Sequence, residues 1–297
     1  QELMRITAIT DVYEPGSTFK MLTCSAALDS GAAALTDVFH CAGAITVDGD
    51  RIRCWKNSHG TQTLPQALAN SCNPAFVTLA LRMGTDTFYK YLCAFGLGEK
   101  TGVDLPGESA GILINSRYVK NVDLARIGFG QSVAVTPLQL ICAASAVVNG
   151  GRLMKPYIVK EVLDEDGGVI DRTRPTVVSN PISAQTSETM RQLLENVVEN
   201  GGGKNAYIEG YRIGGKTATS ETLPRSANQY ISSFIGFAPA DDPQVLALCV
   251  INKPQGVYYG GTIAAPVVKE IFENILPYLG LEKAAAETET GTFLVNS

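Results

Sequence analysis

Two apolar stretches near the end of the chain, Tyr230–Phe237 and Val245–Asn252, are separated mainly by Ala240-Asp241-Asp242-Pro243. Both read as strands, and so short a link leaves no room for the dozen or more residues that a parallel crossover needs. They must therefore pair antiparallel. Tyr211–Ser220 reads as a third strand beside them, and Ala264–Leu279 as a closing helix. Upstream the pattern is mainly helical: Ser17–Leu28, Leu64–Ala69, Pro74–Met83 ending at Gly84, 86–95, 136–149 and Thr186–Glu199. Weak alternation over 4–10 suggests a strand, as do 157–163 and 168–172, while 35–60 reads as loops around one hairpin with an Asp48-Gly49 turn. Helices in the middle and antiparallel strands at the end give an α+β chain.

Composition narrows the function. With 297 residues, 45% hydrophobic and 18% charged, the chain is a globular domain or two packed lobes rather than a disordered segment. A net charge of −5 and the lack of a Lys/Arg cluster argue against nucleic acid as a partner. No apolar run reaches the roughly 18 to 20 residues that cross a bilayer. The seven cysteines show no Cys-x-x-Cys spacing and there are two histidines, so neither a metal nor a cofactor is expected. Cys41 and Cys54 flank the hairpin, where a cross-strand disulfide would suit an extracytoplasmic protein, and two free thiols is the equal alternative.

Three motifs carry chemistry. In Ser17-Thr18-Phe19-Lys20 a helical spacing of three puts a hydroxyl and an amine on one face. Serine needs a neighbouring base, and lysine serves only when burial or nearby positive charge leaves its amine neutral. Taken alone, Ser-x-x-Lys arises by chance about once in a chain of this length, and Ser17 could be a plain N-cap. In Ser71-Cys72-Asn73, Asn73 before Pro74 is a well-placed N-cap, or else its amide bonds a substrate and Ser71 relays a proton. Lys216-Thr217-Ala218-Thr219 offers a cation on a strand, with Thr217 and Thr219 on one face by alternation; the alternative is an exposed edge lysine. Gly210 to Thr217 also fits the phosphate-loop pattern G-x-x-x-x-G-K-[ST]. That reading fails because no buried strand precedes it and the polar stretch to Pro224 cannot supply the helix after it.

In the order Ser-x-x-Lys, Ser-x-Asn, Lys-Thr-x, these motifs resemble the signature of β-lactamases and penicillin-binding proteins. The chain is similar to the transpeptidase domain of class B penicillin-binding proteins. The similarity runs through Tyr13–Lys20, His59–Leu64, Ser71–Phe76, Val103–Glu108, Gly130-Gln131, Thr136–Gln139, Asn149–Gly151 and Ser233–Pro239. It implies a β-lactamase/transpeptidase-like α+β fold, an antiparallel sheet flanked by helices with an adjoining helical subdomain. That subdomain would lie mainly within 60–150, in a domain spanning 1–280, with 281–297 as a tail.

The resemblance also implies a peptidoglycan D,D-transpeptidase. Ser17 would form an acyl-enzyme with D-Ala-D-Ala stem peptides, Lys20 would take its proton, Ser71 would pass one on and Asn73 would position the substrate. Lys216, Thr217 and Thr219 would hold the terminal carboxylate, and the backbone N–H groups of Ser17 and Thr219 would form the oxyanion hole. Stem peptides and β-lactam antibiotics are the implied partners. The implied place is the extracytoplasmic face of the bacterial membrane, with an anchor and cell-wall synthesis partners outside this chain. Related domains also carry sequence, including a strand, before this starting point. The alternative within the superfamily is a β-lactamase or β-lactam sensor, with Glu108 and Glu221 as candidate water-activating groups. One departure matters: Ala218 stands where the family usually has Gly, which is costly only if that backbone needs a positive φ.

Overall fold

The computed structural model describes residues 5–283. The chain opens with α1 (Thr7–Thr10), a 3₁₀ turn at Gly16–Phe19 and α2 (Lys20–Asp29). Short strands β1 (Val38–Cys41), β2 (Ala44–Val47), β3 (Asp50–Arg53) and β4 (Gly60–Thr63) follow. Next come α3 (Leu64–Ala69), α4 (Asn73–Ala94), β5 (Ile112–Leu113), α5 (Asn121–Ile127), β6 (Val133–Ala134) and α6 (Pro137–Val148). Beyond them lie β7 (Leu153–Met154), β8 (Glu161–Leu163), β9 (Val169–Arg172), β10 (Val177–Ser179) and α7 (Ala184–Asn200). The last third holds β11 (Gly214–Glu221), β12 (Tyr230–Ala238), β13 (Val245–Asn252), α8 (Gly260–Ile263) and α9 (Ala265–Tyr278).

The principal sheet runs β11-β12-β13, antiparallel throughout, with Glu221 opposite Tyr230 and Ala238 opposite Val245. Strand alternation divides β12 between two cores. Ile235 and Phe237 join the large core shared with α2, α4, α6 and α7, whereas Phe234 and Ala238 join a second one with Val268, Phe272 and Leu276 of α9. Helices thus cover both faces, which is why β12 reads as an almost unbroken apolar run. On the large-core side, α7 is started by the Ser183 side chain accepting from Thr186 N–H, and buries Met190, Leu194 and Val197, while its Val198 reaches the second core. Helix α6 begins with a Thr136–Gln139 capping box and proline in its first turn.

The structure departs from the sequence expectations in several places. Residues Thr7–Thr10 form a single helical turn rather than a strand, and residue 4 lies outside the described residues. Pro74–Met83 and 86–95 are not separated by a loop: they abut within α4 at Gly84, whose φ of 70° and ψ of 170° break the helical geometry. The region taken as loops holds the β1–β4 pair beside the expected hairpin, which turns through Asp48 and Gly49 at φ 48° and 89°. Two successive positive φ values are those of a type I′ turn, whose twist matches its strands. Strand β11 begins at Gly214 rather than Tyr211. Of the expected tail, 284–297 lies outside the described residues.

Phe272 is wholly buried between α9 and the sheet. Phe272→Ala should lower the unfolding free energy by about 3 to 5 kcal/mol, read as a fall in the denaturation midpoint at unchanged slope.

Candidate active site

The 3₁₀ turn Gly16–Phe19 places Ser17 directly before α2. Residues three apart eclipse in 3₁₀ geometry, so Ser17 and Lys20 line up more closely than an α-helix would bring them. The N-cap alternative for Ser17 is excluded: Pro15 occupies that position and no side chain caps the turn. Among the described residues none hydrogen-bonds to Ser17 Oγ, and the residue is half-buried, so its hydroxyl stays available.

Close backbone packing holds this turn. Gly16 sits at φ 58°, and a Cβ there would come within 2.1 Å of Ser220 Oγ on β11. On its other side Gly16 N–H donates to Gly130 O, and a Cβ on Gly130 would meet Gly16 O at 2.1 Å. The Gly16–Phe19 turn is therefore wedged between β11 and the Gly130 loop, with no room for a side chain on either glycine.

Lys20 is fully buried. Its Nζ donates to Ser71 O at 2.8 Å and Asn73 Oδ1 at 2.7 Å, and lies 3.1 Å from Ser71 Oγ. Lys216, also buried, brings its Nζ to 3.0 Å from the same Ser71 Oγ and donates to Thr217 O at 3.1 Å. Two amines thus share one hydroxyl. Burial depresses the Lys20 ammonium to about 7, offset in part by the Cys54 and Cys72 thiols. Burial, and then the neighbouring Lys20 charge, hold Lys216 well below the ordinary lysine range.

Ser71 stands at φ 52°, the left-handed region, which turns its carbonyl and hydroxyl together toward Lys20. The N-cap assignment for Asn73 does not hold. Cys72 takes that position without a side-chain bond, and the Asn73 amide instead accepts from Lys20 and donates to Arg53 O at 3.0 Å. Alternation along β11 turns Lys216, Ala218 and Ser220 inward, leaves Thr217 half-buried and exposes Thr219. Thr219 Oγ1 accepts from Gly260 N–H at 2.9 Å and keeps its own O–H for another partner. Ala218 has a negative φ and 3% exposure, its methyl facing Gly16, so alanine costs no backbone strain here. Lys216 and Thr217 lie within a strand, which removes the phosphate-loop reading.

Sequence reasoning missed three contributors: the Gly260 N–H, the Arg53 carbonyl and the Ser220 hydroxyl, which is buried without a hydrogen-bond partner among the described residues. Two of these act through the backbone and leave no side-chain signal. Glu108 has both carboxylate oxygens engaged by Thr101 and Gly102, and Glu221 pairs with Arg225 at 3.7 Å. Neither touches Ser17 or Lys20. Cys41 and Cys54 form no disulfide. Both are free, and with His59 and Cys72 they make a group whose ligand atoms lie within 4.8 Å of one another, a convergence that spacing along the sequence did not reveal.

Residues 1–273 match the family described as penicillin binding protein transpeptidase domain. The chain belongs to that family. It is 45% identical over 288 residues to stage V sporulation protein D of Bacillus subtilis, covering 95% of this chain and 45% of that protein. It is 32% identical over 302 residues to peptidoglycan D,D-transpeptidase FtsI of Escherichia coli K12, covering 100% of this chain and 49% of that protein. The chain spans about half the length of these curated relatives. Among solved structures it resembles penicillin-binding protein 3 of Mycobacterium tuberculosis in complex with aztreonam. The TM-score is 0.86 at 29% identity, over 94% of this chain and 65% of that one. The fold is thus that of penicillin-binding transpeptidase domains, mixed α+β with helices and antiparallel sheets.

Gly16→Ala should cost about 2 to 4 kcal/mol of stability by combining backbone strain with overpacking. Adding Ser220→Ala should restore the overpacking share and leave the strain, as a double-mutant cycle of thermal unfolding would read out.

Proposed function

We propose that this chain is the acyl-transfer domain of a peptidoglycan D,D-transpeptidase, with Ser17 as nucleophile. One observation carries the reading: two buried lysines converge on Ser71 Oγ, one of them three residues after an unengaged serine hydroxyl. Such a pair has no structural use that a hydrophobic pair would not serve better. Family membership supports it, and so do the relatives named as D,D-transpeptidases.

A neutral Lys20 takes the Ser17 proton as Oγ attacks the carbonyl of the penultimate D-alanine in a stem peptide. Ser71, between the two amines, passes a proton to the departing D-alanine nitrogen. Asn73 presents its amide to the peptide, while Lys216, Thr217 and Thr219 attract the terminal carboxylate. The N–H groups of Ser17 and Thr219 stabilise the oxyanion; β11 is a sheet edge, so part of its backbone faces the cleft rather than another strand. An amine of a second stem peptide then resolves the ester. A β-lactam acylates Ser17 in the same way. The engaged oxygens of Glu108 favour this reading over a β-lactamase, because no carboxylate is left beside Ser17 from these two candidates to activate water.

Such a substrate lies outside the cytoplasmic membrane, which puts the working domain on the extracytoplasmic face. The anchor and the cell-wall synthesis partners of this reading lie outside this chain. Among the described residues no helix is long and apolar enough to cross a membrane.

Brief exposure to benzylpenicillin should give a persistent adduct by intact mass on the parent chain and none on Ser17→Ala. An adduct that clears within seconds would indicate a β-lactamase instead. The pH dependence follows from Lys20. Below about 7 its amine is protonated and cannot accept the Ser17 proton; above it the amine is free. The acylation rate should therefore rise about tenfold per pH unit below that point and level off above it, measured by stopped-flow with a chromogenic cephalosporin.

A further inference from the structure

Among the described residues β8 and β9 pair only with each other, and the hairpin they form carries apolar side chains into solvent. All of β9 is exposed, and in β8 only Glu161 is half-buried. Ile158 and Ile170 are 68% and 66% exposed, and Val159, Val162, Leu163 and Val169 are exposed with them. A two-stranded hairpin is marginal by itself in water, and an apolar strand with a free edge invites another strand. Only the root of this hairpin is secured. Asp104 accepts from Ile158 N–H and Val159 N–H, both at 2.7 Å, and Lys155 N–H donates to Thr176 O at 2.9 Å.

The charges of the hairpin are polarised along its length. Its tip is Asp164-Glu165-Asp166. Asp164 closes the turn by accepting from Asp166 N–H at 3.0 Å and Gly168 N–H at 2.6 Å, while Glu165 and Asp166 are exposed. At the base, Lys155, Arg172 and Arg174 line a cavity of about 440 Å³. The acids there are already engaged: Asp104 holds the two amides, and Asp171 accepts from Arg172 N–H at 2.8 Å. Arg172 itself pairs with Glu161 at 2.9 Å. Neither Lys155 nor Arg174 makes a side-chain hydrogen bond or ion pair among the described residues, so the cavity keeps two uncommitted cations.

A partner suited to this surface is apolar along its middle, anionic where the base is cationic, and cationic where the tip is anionic. A second copy of the same hairpin, running the opposite way, meets all three conditions. A two-fold axis perpendicular to the strands reverses their direction and so sets tip against base twice.

We propose that β9 pairs antiparallel with β9 of a second copy, giving a four-stranded sheet in which the acidic tip of each hairpin meets the basic cavity of the other. Strand-to-strand hydrogen bonds and the apolar side chains supply the adhesion. The charges set the direction, because a parallel pairing would bring tip to tip and base to base. None of these residues belongs to the group around Ser71, so the interface is independent of the acyl-transfer reading.

The test is sedimentation velocity of the whole chain across a wide range of concentration, which should show a reversible monomer–dimer equilibrium. Ile170→Lys changes a side chain already in solvent in the single chain and should weaken the dimer by roughly tenfold or more. Arg174→Glu and Glu165→Arg should each weaken it about tenfold, since symmetry counts every lost pair twice. An equimolar mixture of those two variants should dimerise as tightly as the parent, because each reversed charge then faces an opposite one. Unchanged circular dichroism and unfolding midpoints would establish that the variants are folded. A chain that stays monomeric at every concentration, whatever else the hairpin binds, overturns the proposal, and so does a dimer indifferent to Ile170→Lys. Loss of the dimer in both charge variants without recovery in the mixture would overturn the tip-to-base arrangement.

Discussion

Lys20 and Lys216 impose the strictest requirement on this molecule, because each brings an amine out of water and both come to rest on the same serine oxygen. Leaving a charged amine unpartnered in such a place is far more costly than leaving out a hydrophobic contact. Every remaining acceptor near them is therefore recruited: the Ser71 and Thr217 carbonyls and the Asn73 amide. These acceptors belong to the start of α4 and to β11, while Lys20 opens α2. The polar cluster thus prescribes how three otherwise independent elements meet. The left-handed backbone at Ser71 is part of that arrangement, since it directs both oxygens of one residue at one amine.

The second constraint is steric. Gly16 and Gly130 allow three backbone segments to approach more closely than any side chain permits, so that the turn carrying Ser17 lies against the strand bearing Lys216. Hydrophobic packing alone would leave those segments free to slide. With the turn pressed from both sides, the position of Ser17 follows from β11 rather than from the helix after it. Ala218 belongs to the same contact, its methyl filling the space that faces Gly16.

Much of this was legible from residues. The antiparallel strands, the amphipathic α7 and the shared face of Thr217 and Thr219, opposite that of Lys216 and Ala218, followed from periods of two and 3.6, which depend only on local geometry. The ordered triplet of motifs pointed to the residues that the structure gathers around Ser71. What stayed hidden depended on contacts between distant segments. Asn73 had all the marks of an N-cap, yet the pull of Lys20 and Arg53 on its amide takes it elsewhere. Thr7–Thr10 alternates like a strand but pairs with no strand among the described residues, and a helical turn satisfies its backbone instead. Gly84 stops one helix, but the next begins at once, which composition alone does not distinguish from a loop. The cysteines sit 13 and 18 residues apart along the chain, and the β1–β4 pairing, the β2–β3 hairpin and the turn into α4 together bring them to one place.

Strand β12 contributes alternate side chains to two different hydrophobic cores and hydrogen-bonds to both of its neighbours. It acts as a party wall. Neither core can loosen without withdrawing support from the other, so the α9 side and the α2–α7 side are bound to melt together rather than as two lobes. The last amides to exchange with solvent belong in this strand, for opening them requires both cores to come apart. A wall of that kind also carries strain across the molecule: a slightly misfitted side chain beneath α9 shifts β12, and with it the β11 register on which the Lys216 amine is mounted.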